Sequence, residues 1–408
     1  MSDDSSNKQT PQLSKIARDL APSGIRKFFD IAAKMQDVIS LGVGEPDFVT
    51  PWAIREAGIY SIEKGQTTYT SNYGLLELRQ EISKHLNQKY GAKYSPDNEI
   101  LVTVGVSEGM DLAMRAILDP GDEVLVPEPC YVSYRPCVSL AGGIPVGVET
   151  TSEDNFRVRV SQLEAKLTPK TKAIILGFPS NPTGATMPAD ALQEIVDFAA
   201  KHNLFIISDE IYDRLTYEGR HTCVSSLKNA RERTILLNGF SKTYAMTGWR
   251  VGYACAPATV LSAMMKIHSY VALCAPIGAQ KAAIEAMKHA ENAVEDMVMQ
   301  YNQRRRLIVD GFNAVGLKCH LPSGAFYAFP SITATGLSSE EFAERLLFEE
   351  HVAVVPGTAF GAGGEGHIRC SYATSIEKIE IALSRIGTFV EKVKPGLKPL
   401  HAGKVKVS

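Results

Sequence analysis

Five short apolar runs constrain this chain more than any other feature: Glu99-Ile-Leu-Val-Thr-Val104, Glu123-Val-Leu-Val126, Lys172-Ala-Ile-Ile-Leu176, Leu204-Phe-Ile-Ile-Ser208 and Thr234-Ile-Leu-Leu237. None alternates apolar with polar, so none reads as a strand with one wet face. Continuous runs of this length suit strands buried on both sides, as in a mostly parallel sheet covered by helices. The intervening segments supply those helices. After Gly105-Val-Ser107, the residues Met110, Ala113, Met114, Ile117 and Leu118 recur at helical spacing until Asp119-Pro-Gly121 stops the pattern, and Ala189 to Lys201 reads as a further helix. The expected fold class is α/β, a mostly parallel sheet flanked by helices. From about residue 285 the pattern changes to a long helix, Glu285 to Val315, and then to shorter spacings, a smaller α+β unit.

A chain of 408 residues is long enough for two or three such units. Its formal charge of -2 leaves no basic footprint for nucleic acid. No run approaches the ~18 apolar residues needed to span a bilayer. The N-terminus is polar and lacks an apolar signal core, so the expected location is the cytoplasm. Seven cysteines, an odd number with no Cys-x-x-Cys, argue for buried reduced thiols rather than disulfides or zinc. The nine histidines show no metal-ligand spacing. The lysine-rich stretch from Lys392 reads as a solvated tail.

Ligands of open α/β sheets bind outside the carboxyl ends of the strands, and here those ends carry unusual chemistry. Lys242 emerges where the Thr234 run ends, among small and aromatic residues with Arg250 close by. A lone lysine after a strand is usually a surface residue, but desolvation or a second cation would make it a nucleophile for a carbonyl. Asp209 ends the Leu204 run, where it could cap a helix or hold a protonated ring nitrogen. Tyr212, more often core, could bond a phenolate oxygen. Gly105-Val-Ser107 at a helix start offers N–H groups to an anion, with Arg250 to add charge. Each signal is weak singly. A lysine for an aldehyde, a carboxylate for a ring nitrogen, a phenol for an oxygen and a phosphate cradle together describe pyridoxal 5'-phosphate.

The motifs Leu41-Gly-Val-Gly-Glu-Pro-Asp-Phe48, Tyr69-Thr-Ser-Asn-Tyr-Gly74, Ser180-Asn-Pro-Thr-Gly184, Ser208-Asp-Glu-Ile-Tyr212, Ser241-Lys-Thr-Tyr-Ala-Met-Thr-Gly-Trp-Arg250 and His367-Ile-Arg-Cys-Ser371 occur in that order. Through them the chain, from about residue 14 to 390, resembles the fold-type-I, pyridoxal-phosphate-dependent aminotransferases of class I. It looks most like the subgroup acting on aspartate, aromatic amino acids and acetyl-diaminopimelate. The resemblance implies a large cofactor domain over 47–285 and a small domain built from 14–46 and 286–390, with a leader over 1–13 and a tail over 391–408. It also implies roles. Lys242 would bond the cofactor aldehyde and move the substrate proton. Asp209 would keep the ring nitrogen protonated, while Tyr212 and Asn181 would bond the ring oxygen and Tyr131 would stack on the ring. The Val106 and Ser107 backbone, Ser241 and Arg250 would hold the phosphate, joined by Tyr69 from the other subunit of a homodimer. Arg369 would clamp the substrate carboxylate, with Asn181 and the Gly44 backbone closing the site.

The implied activity is transfer of an amino group from an L-amino acid to a 2-oxo acid such as 2-oxoglutarate, by a ping-pong mechanism. Two departures matter. Aspartate-specific members often carry a lysine where this chain has Ser107, and many relatives place a phosphate-binding serine where it has Gly239. Two other readings stand beside the first: a β-lyase acting on cysteine conjugates, and a non-catalytic regulator. Such regulators carry a DNA-binding module ahead of this domain, whereas only about forty residues precede Gly42. Gly361-Ala-Gly-Gly-Glu-Gly366 matches a dinucleotide fingerprint formally but precedes a strand, so it reads as a loop near the substrate. Arg304-Arg-Arg306 reads as a solvated helix face, and Trp52 and Trp249 as core.

Overall fold

The computed structural model describes residues 12–20, 24 and 35–393. Most of the expected leader and tail lies outside these. The helix Ile376–Val393, however, runs past the expected start of the tail at 391. Among the described residues are twelve strands: β1 Ile39–Ser40, β2 Ile100–Thr103, β3 Glu123–Glu128, β4 Ile144–Glu149, β5 Thr171–Gly177, β6 Phe205–Asp209, β7 Thr234–Gly239, β8 Gly252–Cys255, β9 Tyr327–Ala328, β10 Val352–Ala353, β11 Val355–Pro356 and β12 Ile368–Ser371.

Seven strands form one sheet in the order β2-β8-β7-β6-β5-β3-β4. From β7 through β4 all pairs are parallel, and β8 alone runs antiparallel to both of its neighbours. The apolar runs have no alternation because both faces are covered. Ile175 and Ile207 pack on one side with Leu112 and Met114 of helix Gly105–Ile117. Their neighbours Ile174 and Ile206 pack on the other, with Leu192 and Ile195 of helix Ala189–Lys201. Each such side chain contributes roughly 1.5–3 kcal/mol by burial, so every position in the central strands favours the sheet. The parallel strands β5, β6 and β7 all end on the same edge, at Gly177, Asp209 and Gly239.

The smaller unit draws on distant stretches of sequence. β1 pairs in parallel with β10, and the next residue, Leu41, donates its N–H to Ala353 O at 2.8 Å and accepts from Ser371 N at 2.6 Å. β11, β12 and β9 form an antiparallel sheet beside them. The segment carrying Gly42 to Phe48 is therefore stitched to the strand carrying Arg369.

Three expectations are corrected. The long helix from Glu285 to Val315 is two helices, Ile277–His289 and Glu291–Ala314, broken at Ala290. The break sets Glu291 in the first turn of the second helix, where Arg214 grips both carboxylate oxygens at 2.7 and 2.9 Å and Lys89 bonds one at 2.6 Å. The arginines of that helix are not a solvated face: Arg304 and Arg305 are buried and Arg306 alone is exposed. Arg304 holds both oxygens of Asp47 at 2.8 and 2.9 Å and lies over the rings of Phe48 and Tyr301. Arg305 bonds Glu218 and the Pro322 carbonyl. Trp52 is not core either. It is 58% exposed at the start of helix Trp52–Glu63, with Arg55 stacked over it. Trp249 is half-buried, its indole N–H donating to Thr50 Oγ1 at 3.1 Å.

Arg304→Met would keep the packing volume but strip Asp47 of both charge-assisted bonds. The expected cost is ~1–3 kcal/mol, seen as a lower midpoint of chemical unfolding with an unchanged denaturant slope. An unchanged midpoint would show that the pair does not anchor this segment.

Candidate active site

At the sheet edge where β6 and β7 end, three glycines bring backbone into contact that no other residue type would allow. Gly239 on β7 is paired with Gly252 on β8. A Cβ on Gly239 would lie 2.9 Å from the Gly252 Cα, and one on Gly252 would lie 2.8 Å from the Gly105 carbonyl carbon and the Val106 nitrogen. Gly105 has φ +74°, and a Cβ there would meet Arg250 Nη2 at 2.6 Å. The guanidinium of Arg250 is thus laid directly on the start of helix Gly105–Ile117. Its own backbone is left-handed at φ 54°, and its Nη1 donates to Thr247 O at 2.9 Å. Free backbone N–H groups at a helix start, beside an arginine and the Ser241 hydroxyl, form an anion cradle. The same contacts explain Gly239 in place of serine, since the strand pairing leaves no room for a side chain.

Lys242 and Asp209 face one cavity of about 370 Å³ from adjacent strand ends. Lys242 Nζ donates to the Gly44 carbonyl at 2.6 Å. Burial pulls its pKa down to about 8; Glu45 opposes the shift, while Arg369 and Arg250 reinforce it. Asp209 is buried, and burial pushes its carboxyl up to about 6 against a hydrogen bond from Tyr134. No helix follows Asp209, so the capping role does not apply. Its Oδ2 accepts from the Tyr134 hydroxyl at 2.9 Å and its Oδ1 from the Ile211 N–H at 3.2 Å. A carboxylate buried with two neutral donors, and with no bonded cation among the described residues, is suited to receive a cationic group from the cavity.

Arg369, at 2% exposure, stands on β12 and reaches the cavity from the smaller unit. It donates to Asn181 Oδ1 at 2.9 Å and Gly42 O at 2.6 Å, and its guanidinium lies 4.5 Å from the Tyr327 ring centroid and 4.9 Å from that of Phe360. Burial lowers its pKa. It has no carboxylate partner among the described residues, and its Nε is a buried donor without an acceptor. An arginine held by aromatic faces and carbonyls keeps its fork available for an incoming carboxylate.

The cavity brings together Gly44, Val106, Ser107, Tyr131, Asn181, Asp209, Tyr212, Ser241, Lys242, Arg250 and Arg369. Tyr69 is not on its wall and is 81% exposed. Sequence reasoning missed three neighbours. Tyr134 holds Asp209, and the absence of a side chain at Gly177 makes room for its hydroxyl. Tyr327 bonds Tyr212, hydroxyl to hydroxyl, at 2.8 Å. Glu45 lines the mouth and accepts from the Thr247 hydroxyl at 3.1 Å. Of these only Glu45, inside a quoted motif, carried a signal; the tyrosines lie in ordinary apolar stretches.

The profile of the family described as aminotransferase class I and II matches residues 36–386. The chain belongs to this family. A Bacillus subtilis protein, YugH, is 54% identical over 94% of this chain and 99% of its own length. The aspartate aminotransferase of Pyrococcus abyssi is 47% identical over 91% of this chain and 97% of its own. The crystal structure of an aromatic aminotransferase from Pyrococcus horikoshii superposes with a TM-score of 0.86 at 45% identity, covering 90% of this chain and 99% of that one. The protein is a class I aminotransferase, a family of pyridoxal-phosphate-dependent enzymes, and its mostly parallel sheet flanked by helices is that fold. Its residues fit the family's cofactor: the desolvated amine suits an aldehyde, the buried carboxylate a ring nitrogen, and the glycine-lined cradle a phosphate.

The lowered pKa of Lys242 has a direct signature. The neutral amine is the nucleophile, so modification of Lys242 by an aldehyde reagent in cofactor-free protein should rise with pH through a midpoint near 8. Since the Glu45 carboxylate favours the charged amine, Glu45→Gln should move that midpoint lower. Peptide mass mapping reads the site, and a midpoint at the ordinary lysine value of ~10.4 would refute the desolvated environment.

Proposed function

We propose that this aminotransferase binds pyridoxal 5'-phosphate in the cavity and uses it to move an amino group from an L-amino acid to a 2-oxo acid. Donor and acceptor would occupy the pocket in turn, the ping-pong order. The observation that carries the reading is the meeting, around one cavity, of a desolvated lysine amine, a buried carboxylate and a buried arginine that has no carboxylate partner among the described residues. When bound, the cofactor supplies an aldehyde for the lysine and a ring that accepts electrons from the substrate.

The chain's own groups would then divide the work. Lys242 Nζ would hold the cofactor and, as the desolvated amine of the cavity, would move the substrate proton. Asp209, steadied by Tyr134, would keep a proton on the ring nitrogen, and Tyr212 and Asn181 would donate to the ring oxygen with Tyr131 over the ring. The Val106 and Ser107 N–H groups, Ser241 and Arg250 would receive the phosphate. Arg369 takes the substrate α-carboxylate as a bidentate pair, and the Gly44 backbone closes over it.

The donor we favour is neutral and aromatic rather than acidic. Lys242, Arg250 and Arg369 are the cations of the cavity wall, and each has a role. The position that would read a second carboxylate is Ser107, and Glu45 stands at the mouth. Met110, Tyr131 and Cys137 add apolar wall. The relatives bear names for both kinds of donor and do not choose between them.

Functionally the chain is read as a cofactor domain over 47–285 and a smaller one from 14–46 and 286–390, working as a homodimer. Tyr69 and, on helix Trp52–Glu63, Ile59 and Ile62 are all exposed, which supports a shared surface from which Tyr69 would complete the partner's phosphate site.

Lys242→Ala should lose the visible absorbance of the lysine-bound cofactor and all turnover; a variant with full activity would overturn the reading. In a donor panel with 2-oxoglutarate as acceptor, kcat/KM for phenylalanine or tyrosine should exceed that for aspartate by about 10-fold, one unpaired buried carboxylate costing on the order of 1–3 kcal/mol. The reverse order would refute the donor assignment but not the activity.

A further inference from the structure

One buried pair behind the cavity has no part in the roles above. Helix Gly105–Ile117 begins against the cavity, with Val106 and Ser107 on its wall, but the next residue, Glu108, is not on the wall. Its carboxylate turns back under the turn. One oxygen accepts the N–H of Val104, the residue joining β2 to the helix, at 2.5 Å. The other lies 2.8 Å from Nδ1 of His268. His268 stands on helix Ala258–Val271 with a fully buried side chain, and its Nε2 has no partner among the described residues. From the other side, the Thr103 hydroxyl donates to Gly105 O at 2.8 Å.

A carboxylate in the first turn stabilises a helix by itself, yet it competes with any anion for the same N–H groups. Here the competition is removed by geometry. Glu108 spends one oxygen on an N–H that precedes the cradle, and His268 holds the other oxygen away from the cavity. The N–H groups of Val106 and Ser107 stay free, and Val104 is fixed at the bend that aims them.

We propose that Glu108 and His268 are positioning residues for the phosphate end of the site, holding the Val104–Ser107 turn in its anion-receiving form. This rests on reading the cavity as a pyridoxal phosphate site. Because the pair acts on the phosphate alone, it distinguishes the cofactor from pyridoxal, which has the same aldehyde and ring without the phosphate.

The test compares release of the two compounds from the loaded full-length protein, followed by absorbance of the protein fraction after gel filtration. Glu108→Ala and His268→Leu should release pyridoxal phosphate about 10-fold faster, the loss of one hydrogen bond to a charged group, with pyridoxal release changed by less than about 2-fold. His268→Asn, which keeps a donor near the Nδ1 position, should return phosphate retention toward wild type. Equal acceleration for both compounds, or for neither, would overturn the proposal. Should Glu108→Ala fail to fold, the contrast of Leu with Asn at position 268 carries the same decision. A wild type that bonds neither compound through Lys242 would overturn the cofactor reading itself, and this proposal with it.

Discussion

The structure depends on keeping a lysine and an aspartate out of water side by side without letting them neutralise each other. Burial shifts both toward their neutral forms, the lysine down and the aspartate up. A direct ion pair would quench both groups. Instead Lys242 rests on the Gly44 carbonyl and Asp209 on a tyrosine hydroxyl and a backbone N–H. Each charged form is supported by neutral dipoles and left ready for a partner from the cavity. Neighbouring groups with oppositely displaced proton affinities are a common arrangement for acid–base chemistry.

Holding that arrangement needs a rigid frame on both sides. The large sheet presents Asp209 and Lys242 from strands whose every neighbour is packed. The smaller unit presents Arg369 across the cavity, and it is built around the chain segment that also supplies Gly44. Leu41 bonds both Ala353 and Ser371, and Arg304 grips Asp47, so the loop covering Lys242 is fastened at either end. Tyr327 ties the halves together, its hydroxyl on Tyr212 and its ring beneath Arg369.

Much of this was legible in the sequence because burial leaves a pattern. Uninterrupted apolar runs announced strands covered on both faces, and the helix Ala189–Lys201 was readable to the residue. Polar residues at run ends marked the site because the carboxyl edge of a parallel sheet is where such residues collect. What stayed hidden was set by partners distant in sequence. Tyr134 looks like any aromatic beside a helix until Gly177 makes room for it. Arg304 and Arg305 looked solvated because helical spacing says nothing about an aspartate about 250 positions earlier or the Pro322 carbonyl nearby. Residue type alone places Trp52 in the core, yet a helix start can leave even tryptophan outside.

The contact of Gly239, Gly252 and Gly105 has a consequence for how such an enzyme can change. Where main chain touches main chain, the cradle offers selection nothing to vary; any side chain added there forces strands apart. Elsewhere the cavity wall, at Met110, Cys137 and Glu45, is made of side chains that can be exchanged without moving the frame. Adaptation is thereby channelled. One end of the cavity is fixed by the absence of atoms, and the other is free to be rewritten for a new substrate.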